Sequence, residues 1–223
     1  MGAGGQKMIK NMITKENINP NNWLKRYLKF FIIGISAGII CRLSDLFPYE
    51  SLWSLSSVAT LFGFWIASVT VITMHSNSHK DAFANTFLYL FGMTLSFYVL
   101  KYLLGFFVAE FDNAGVFQTN LFILYTGLSL LCGIGSSILY FWNDSRWYSS
   151  VLFALPVGAL FAEGIACGII LVLRHMLLGQ TLFDLACGVW LYSILGKKSP
   201  NKLVFTIAAL AAAAMALCVV YRN

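Results

Sequence analysis

Apolar residues run through this chain in long blocks separated by short polar clusters. Four blocks, at 52–74, 83–100, 119–142 and 203–221, contain no charged side chain. A helix needs roughly 20 apolar residues to cross a ~30 Å hydrocarbon core, and each block is that long or close to it. Strands of a transmembrane barrel run about 10 residues and alternate in polarity; these blocks are longer and do not alternate. Inside hydrocarbon the backbone must satisfy its own donors and acceptors, which leaves the helix as the spanning element. The pattern predicts an all-α fold, a polytopic transmembrane helix bundle of about seven spans. These are placed at 27–47, 52–74, 83–108, 119–142, 151–173, 182–196 and 203–221. The sixth is the shortest, and six spans result if it does not cross. Residues 1–26 read as a polar cytoplasmic tail and 27–223 as a single transmembrane domain. The tail has no apolar core and no small-residue cleavage site, so a removable signal peptide is not expected.

Composition strengthens this picture. The chain is 59% hydrophobic and 11% charged, against about 45–50% and about 25% in soluble domains. Its net charge of +6 would suggest nucleic acid in a soluble protein, but here orientation accounts for it and no nucleic-acid partner is expected. With the N-terminus inside, Lys7, Lys10, Lys15, Lys25, Arg26, Lys29, Lys80, Arg146, Lys197, Lys198 and Lys202 fall on the inner side. Only Arg42, Lys101, Arg174 and Arg222 fall at outer ends, as the positive-inside bias requires. The acidic loop with Glu110 and Asp112 is then outside. A prokaryotic plasma membrane is the expected location, with the lipid bilayer as the first partner.

Helices in lipid associate through close packing of small residues. Gly34 and Gly38 make such a face on the first span, and Ala208 with 211–214 another on the last. The first face packs within the chain or meets a second copy or a partner membrane subunit. Tyr49, Trp53, Trp142, Trp147 and Tyr148 sit where interfacial anchors are expected.

Charges at membrane depth are costly and face a bundle interior or a wet cavity. Glu163 is the deepest. Arg174 lies 11 residues on, which returns it to the same helix face, and Pro156 shares that face. Arg42 and Asp45 continue the face of Gly34 and Gly38. Asp184 opens the sixth span beside Arg174, His175 and Gln180. Glu163, Arg42, Asp45, Arg174, His175 and Asp184 are therefore the candidate ligand-binding set, around an outward-facing polar cavity with Glu163 at its floor. Ion pairs that only fix helix register, such as Glu163 with Arg42, are the plain alternative. His75 and His79 have a metal-capable i, i+4 spacing, but no completing ligand set is present. No metal site and no cofactor motif is expected. The five cysteines show no pairing by spacing.

The stretch 55–65, LSSVATLFGFW, resembles small polytopic bacterial membrane proteins of uncharacterised families. The layout is also similar to the solute-capturing S-components of vitamin importers, although those carry Ala-x-x-x-Ala where this chain has Gly34 and Gly38. His75, His79, Asn85 and the run Gly135, Ser136, Ser137 bear a partial likeness to a rhomboid protease. The last span has no His to act as base. The leading expectation is a membrane protein that binds or transports a small solute. The alternatives are a non-catalytic assembly, immunity or sensory component, and a membrane enzyme using Glu163 or Asp184 with His175 on a lipid or peptide.

Overall fold

A computed structural model describes residues 20–107, 116–144, 146 and 148–222. Most of the predicted tail, the Glu110 and Asp112 loop and Trp147 lie outside them. All regular structure among the described residues is helical. The helices are α1 (Pro20–Ser44), α2 (Leu55–Thr60), α3 (Phe62–Met74), α4 (His79–Leu104), α5 (Thr119–Leu139), α6 (Tyr148–Arg174), α7 (Leu178–Lys198) and α8 (Lys202–Arg222), with a 3-10 turn at Tyr140–Asn143. Five of them, α1, α4, α5 with its turn, α6 and α7, are long and apolar enough to cross a membrane. The chain is a multi-pass membrane protein on that basis. Helix α3 and the Lys202–Cys218 part of α8 are apolar but shorter.

Three differences from the sequence reading stand out. The sixth predicted segment, short at 182–196, is a helix of 21 residues. The second, read as one helix over 52–74, is broken into α2 and α3 at Leu61, whose backbone is extended (φ −79°, ψ 169°). The first helix starts at Pro20, inside the stretch assigned to the tail; proline suits a first helical position because its missing N–H would have no partner there.

The helices fall into two groups joined by α2 and α3. In one, α4 lies between α1 and α5; in the other, α6 lies between α7 and α8. Close backbone approach holds both. A Cβ on Gly34 would run into the Tyr89 carbonyl, and one on Gly38 into the Met93 carbonyl and Ser96 Oγ. Ser96 Oγ donates across the seam to the Ile35 carbonyl at 2.9 Å. The Gly34 and Gly38 face is therefore packed within the chain, against α4, the first of the two uses expected for it. In the second group a Cβ on Gly158 would come within 2.6 Å of the Ala209 carbonyl, which is the use made of the alanine-rich last helix. Trp142 is a further correction. It is not an interfacial anchor but is 3% exposed, stacked on Phe153 with ring centroids 5.0 Å apart. Trp53 and Tyr49 are exposed.

Near the start of both helices, Asp81 ties α4 to α1. It takes Arg26 Nη2 at 2.5 Å and the Tyr27 hydroxyl at 2.9 Å, while Ser78 caps α4 by accepting the Asp81 N–H at 3.1 Å. A buried hydroxyl cluster joins α3, α4 and α5. Ser136 Oγ donates to the Ala82 carbonyl at 3.1 Å, accepts from Thr86 at 2.9 Å and is hydrogen-bonded with Thr73 at 2.6 Å. Ser136 is 0% exposed and its hydroxyl is engaged on every side, so it is a structural residue and not a nucleophile. His79 Nδ1 instead meets the Ser137 carbonyl at 3.0 Å, and His75 Nδ1 meets the Val71 carbonyl at 2.8 Å. Ser136→Ala leaves buried hydroxyls short of a partner, which costs ~1–3 kcal/mol. Its melting temperature in detergent should fall; an unchanged value would show that the cluster contributes nothing.

Candidate functional site

Nothing in the local sequence demands a break at Leu61. No proline lies in 52–74, and Leu61 and Phe62 are compatible with a helix. In an unbroken helix the Phe62 N–H would reach back to the Val58 carbonyl. It donates instead to Glu163 Oε1, on α6, at 2.8 Å. The preceding Leu61 N–H still bonds to the Ser57 carbonyl, at 2.8 Å, so α2 ends and α3 begins anew around this one carboxylate. The first turn of any helix has unpartnered N–H groups and the positive end of its dipole. Glu163 supplies both the acceptor and the matching charge.

Asp184, on α7, comes to the same point. A Cβ on Gly63 would run into Asp184 Oδ1, and would lie 2.9 Å from Gln180 Nε2. On the other side a Cβ on Gly164 would lie 3.2 Å from the Asp184 Cβ. Two glycines, next to Phe62 and next to Glu163, thus let α7 bring its carboxylate against the start of α3. Gln180, one turn before Asp184, donates Nε2 to both of its oxygens at 2.8 Å. Gln180 and Asp184 are both 0% exposed; Glu163 is half-buried.

Like Glu50 and Asp144 in the connections, Glu163 and Asp184 form no ion pair among the described residues, but these two sit together between helices. Asp81 is paired with Arg26 and Asp45 with Arg42. Glu163 and Asp184 have no basic side chain within ion-pair distance among the described residues. Two buried acceptors, Glu163 Oε2 and Gln180 Oε1, receive no hydrogen bond there. A buried carboxylate without a counter-charge costs several kcal/mol by desolvation, roughly, so the arrangement is expensive and concentrated at one place.

The six predicted ligand residues separate in the structure. Glu163 and Asp184 meet, as described. Arg42 and Asp45 form their own pair at 2.7 Å, with the Arg42 guanidinium 5.6 Å from the Phe97 ring centre. Arg174 and His175 are exposed. Arg174 ends α6, where a cation suits the helix dipole, and His175 has a left-handed backbone with φ 53°. Neither joins the carboxylate cluster. The sequence reading noted Gln180 but left it out of the site, and took Gly63 only as one of the small packing residues of the second span; the i, i+4 spacing of Gln180 and Asp184 was the available signal.

The connection between α6 and α7 meets the one between α1 and α2 beside this region. Leu178 and Gly179 donate their N–H groups to the Leu52 and Trp53 carbonyls, at 2.9 and 3.2 Å. Left-handed residues Ser54 and Leu177 flank that contact; for residues other than glycine this conformation costs ~1–3 kcal/mol and gathers at functional sites.

Of the cavities that adjoin the break, two bear on the site. An apolar one of about 550 Å³ lies between α3, α5 and α6, walled by Phe62, Trp65, Tyr125, Cys132, Pro156 and Ala159. An open one of about 510 Å³ is lined by Asp45, Tyr49, Ser56 and Thr60. Thr60 borders both. Glu163 lines neither; it stands one turn beyond Ala159, about 6 Å along α6. The single polar cavity floored by Glu163 is thus divided, into an open mouth with Asp45 and a buried carboxylate cluster behind Thr60 and Phe62. Comparison with protein-family models, curated proteins and solved structures finds no match to this chain.

Proposed function

We propose that the chain binds a small solute at the break between α2 and α3 and carries it across the membrane. The observation that carries this reading is the Phe62 N–H turned from its own helix to Glu163 Oε1. Discontinuous helices whose ends meet a bound group near mid-membrane are a recurring way to build solute sites in carriers, and the expense of one buried and one half-buried acid without a basic partner among the described residues argues for a use. The open cavity at Asp45 and Thr60 supports entry from the outer side.

The topology in this proposal is seven crossings with the N-terminus inside, α2 and α3 together making one of them. The concentration of Lys and Arg on the inner side supports it. The proposed location is a prokaryotic plasma membrane, in keeping with the short connections between spans.

The test is the melting temperature of purified protein against vitamins, nucleobases, amino acids, lipids and metal ions, with Glu163→Gln run beside the wild type. A ligand at a hundredfold excess over its Kd adds about 2.7 kcal/mol to apparent stability. The expected result is a saturable shift in wild type that Glu163→Gln loses. A shift identical in both proteins would remove Glu163 from the site. A lack of any shift, with Glu163→Gln merely less stable, would reduce it to a structural cap on α3.

A further inference from the structure

We infer that the solute is a lipophilic monovalent cation, its apolar body in the cavity between α3, α5 and α6 and its positive group at Glu163 and Asp184. This names the solute class for the site proposed above and rests on that reading. Three observations converge on it.

The first is charge. Glu163 and Asp184 lack a basic partner among the described residues, whereas Asp81 and Asp45 each have one. The start of α3 offsets part of the Glu163 charge, because a helix N-terminus acts as roughly half a positive charge. Asp184 has only the Gln180 amide. One further positive charge completes the cluster.

The second is the set of unused atoms. Glu163 Oε2 and Gln180 Oε1 are acceptors without donors, and the Gln180 side chain that carries one of them is 0% exposed. An ammonium group, with its hydrogen-bond donors and no acceptor, matches acceptors alone. An anion or a neutral acceptor does not.

The third is the neighbouring cavity. Its volume of about 550 Å³ falls in the range of small-molecule sites, about 300–1,000 Å³, and its walls are almost entirely apolar. Phe62 joins the two parts: its side chain walls the cavity and its N–H holds Glu163. Phe62 is 70% exposed and Ile138 53% exposed, so the rim faces the lipid, from which an amphiphilic amine can enter sideways.

The experiment uses the full chain in lipid nanodiscs and four probes: phenethylammonium, its neutral analogue phenethyl alcohol, methylammonium and sodium chloride. Binding is read by calorimetry in wild type, Glu163→Gln and Asp184→Asn. Phenethylammonium should bind wild type at least tenfold more tightly than either the alcohol or methylammonium, and each variant should lose at least tenfold. The two substitutions lie on different helices, so if one fails to fold the other still decides. Equal binding of amine and alcohol would overturn the inference by showing that charge is not read. Methylammonium or sodium binding as tightly as phenethylammonium would overturn it by showing an ion site without an apolar part. A neutral or anionic solute that melts wild type higher and loses its effect in Glu163→Gln would defeat the cation inference while leaving the carrier reading intact. Phenethylammonium bound equally by all three proteins would defeat both.

Discussion

Gly34→Leu and Gly38→Leu each abolish the bundle: the protein runs as aggregate on gel filtration and shows no cooperative melt. At both positions a new Cβ runs into backbone, the carbonyls of Tyr89 and Met93. A flexible side chain could swing aside; a helical carbonyl cannot move without shifting α4. The reverse approach is close as well, since a Cβ on Gly92 would lie 2.7 Å from the Phe31 carbonyl. Overpacking of a well-packed core usually costs ~1–3 kcal/mol, and a full leucine against rigid backbone should exceed that range. The controls are Gly127→Leu and Gly135→Leu on α5, where an added Cβ meets nothing within 4 Å. They should melt within a few degrees of wild type. Gly34→Leu behaving like these controls would mean that α1 does not lie on α4 in this way.

Gly63→Ala should keep the bundle and lose the site. The added methyl runs into Asp184 Oδ1 and approaches Gln180 Nε2 to 2.9 Å. Here the obstacle is a pair of side chains, so the clash is relieved by moving Asp184 away from the start of α3 and off Gln180. Stability should fall by about 1–3 kcal/mol, because a buried carboxylate loses hydrogen bonds while the close backbone contacts of α1 with α4 and of α6 with α8 are untouched. Ligand affinity should fall by at least tenfold, which is about 1.4 kcal/mol. The measurement is the ligand-dependent rise in melting temperature, compared between wild type and Gly63→Ala. A folded variant with an undiminished rise would place the ligand somewhere other than the Glu163 and Asp184 cluster.

How much of this was legible beforehand depends on whether the cause is local. Helix identity was, because a run of apolar residues in lipid has one backbone solution. The Gly34 and Gly38 spacing was legible as a close-packed face, though not the identity of the helix that fills it. The break at Leu61 was not, because it is imposed by a carboxylate 101 residues away in sequence. Glu163 and Asp184 were recognisable as costly charges in apolar surroundings. Arg174 does share a helical face with Glu163, but 11 residues of rise put it about 16 Å along the axis, at the end of α6. Asp45 and Arg42 pair with each other, and spacing alone cannot tell such a pair from one that turns toward a ligand. Trp142 looked like an interfacial anchor by its position at the end of a span, and the 3-10 turn that folds it onto Phe153 has no signature in that stretch.

The most direct test of the central claim is uptake into proteoliposomes. Wild type and Glu163→Gln would be reconstituted at equal density, with protein-free vesicles as background, and given the solute that most raises the wild-type melting temperature. The account predicts time-dependent, saturable accumulation by wild type, with Glu163→Gln reduced at least tenfold toward background. Uptake by Glu163→Gln at the wild-type rate, or tight binding by wild type with no uptake above background, would contradict it.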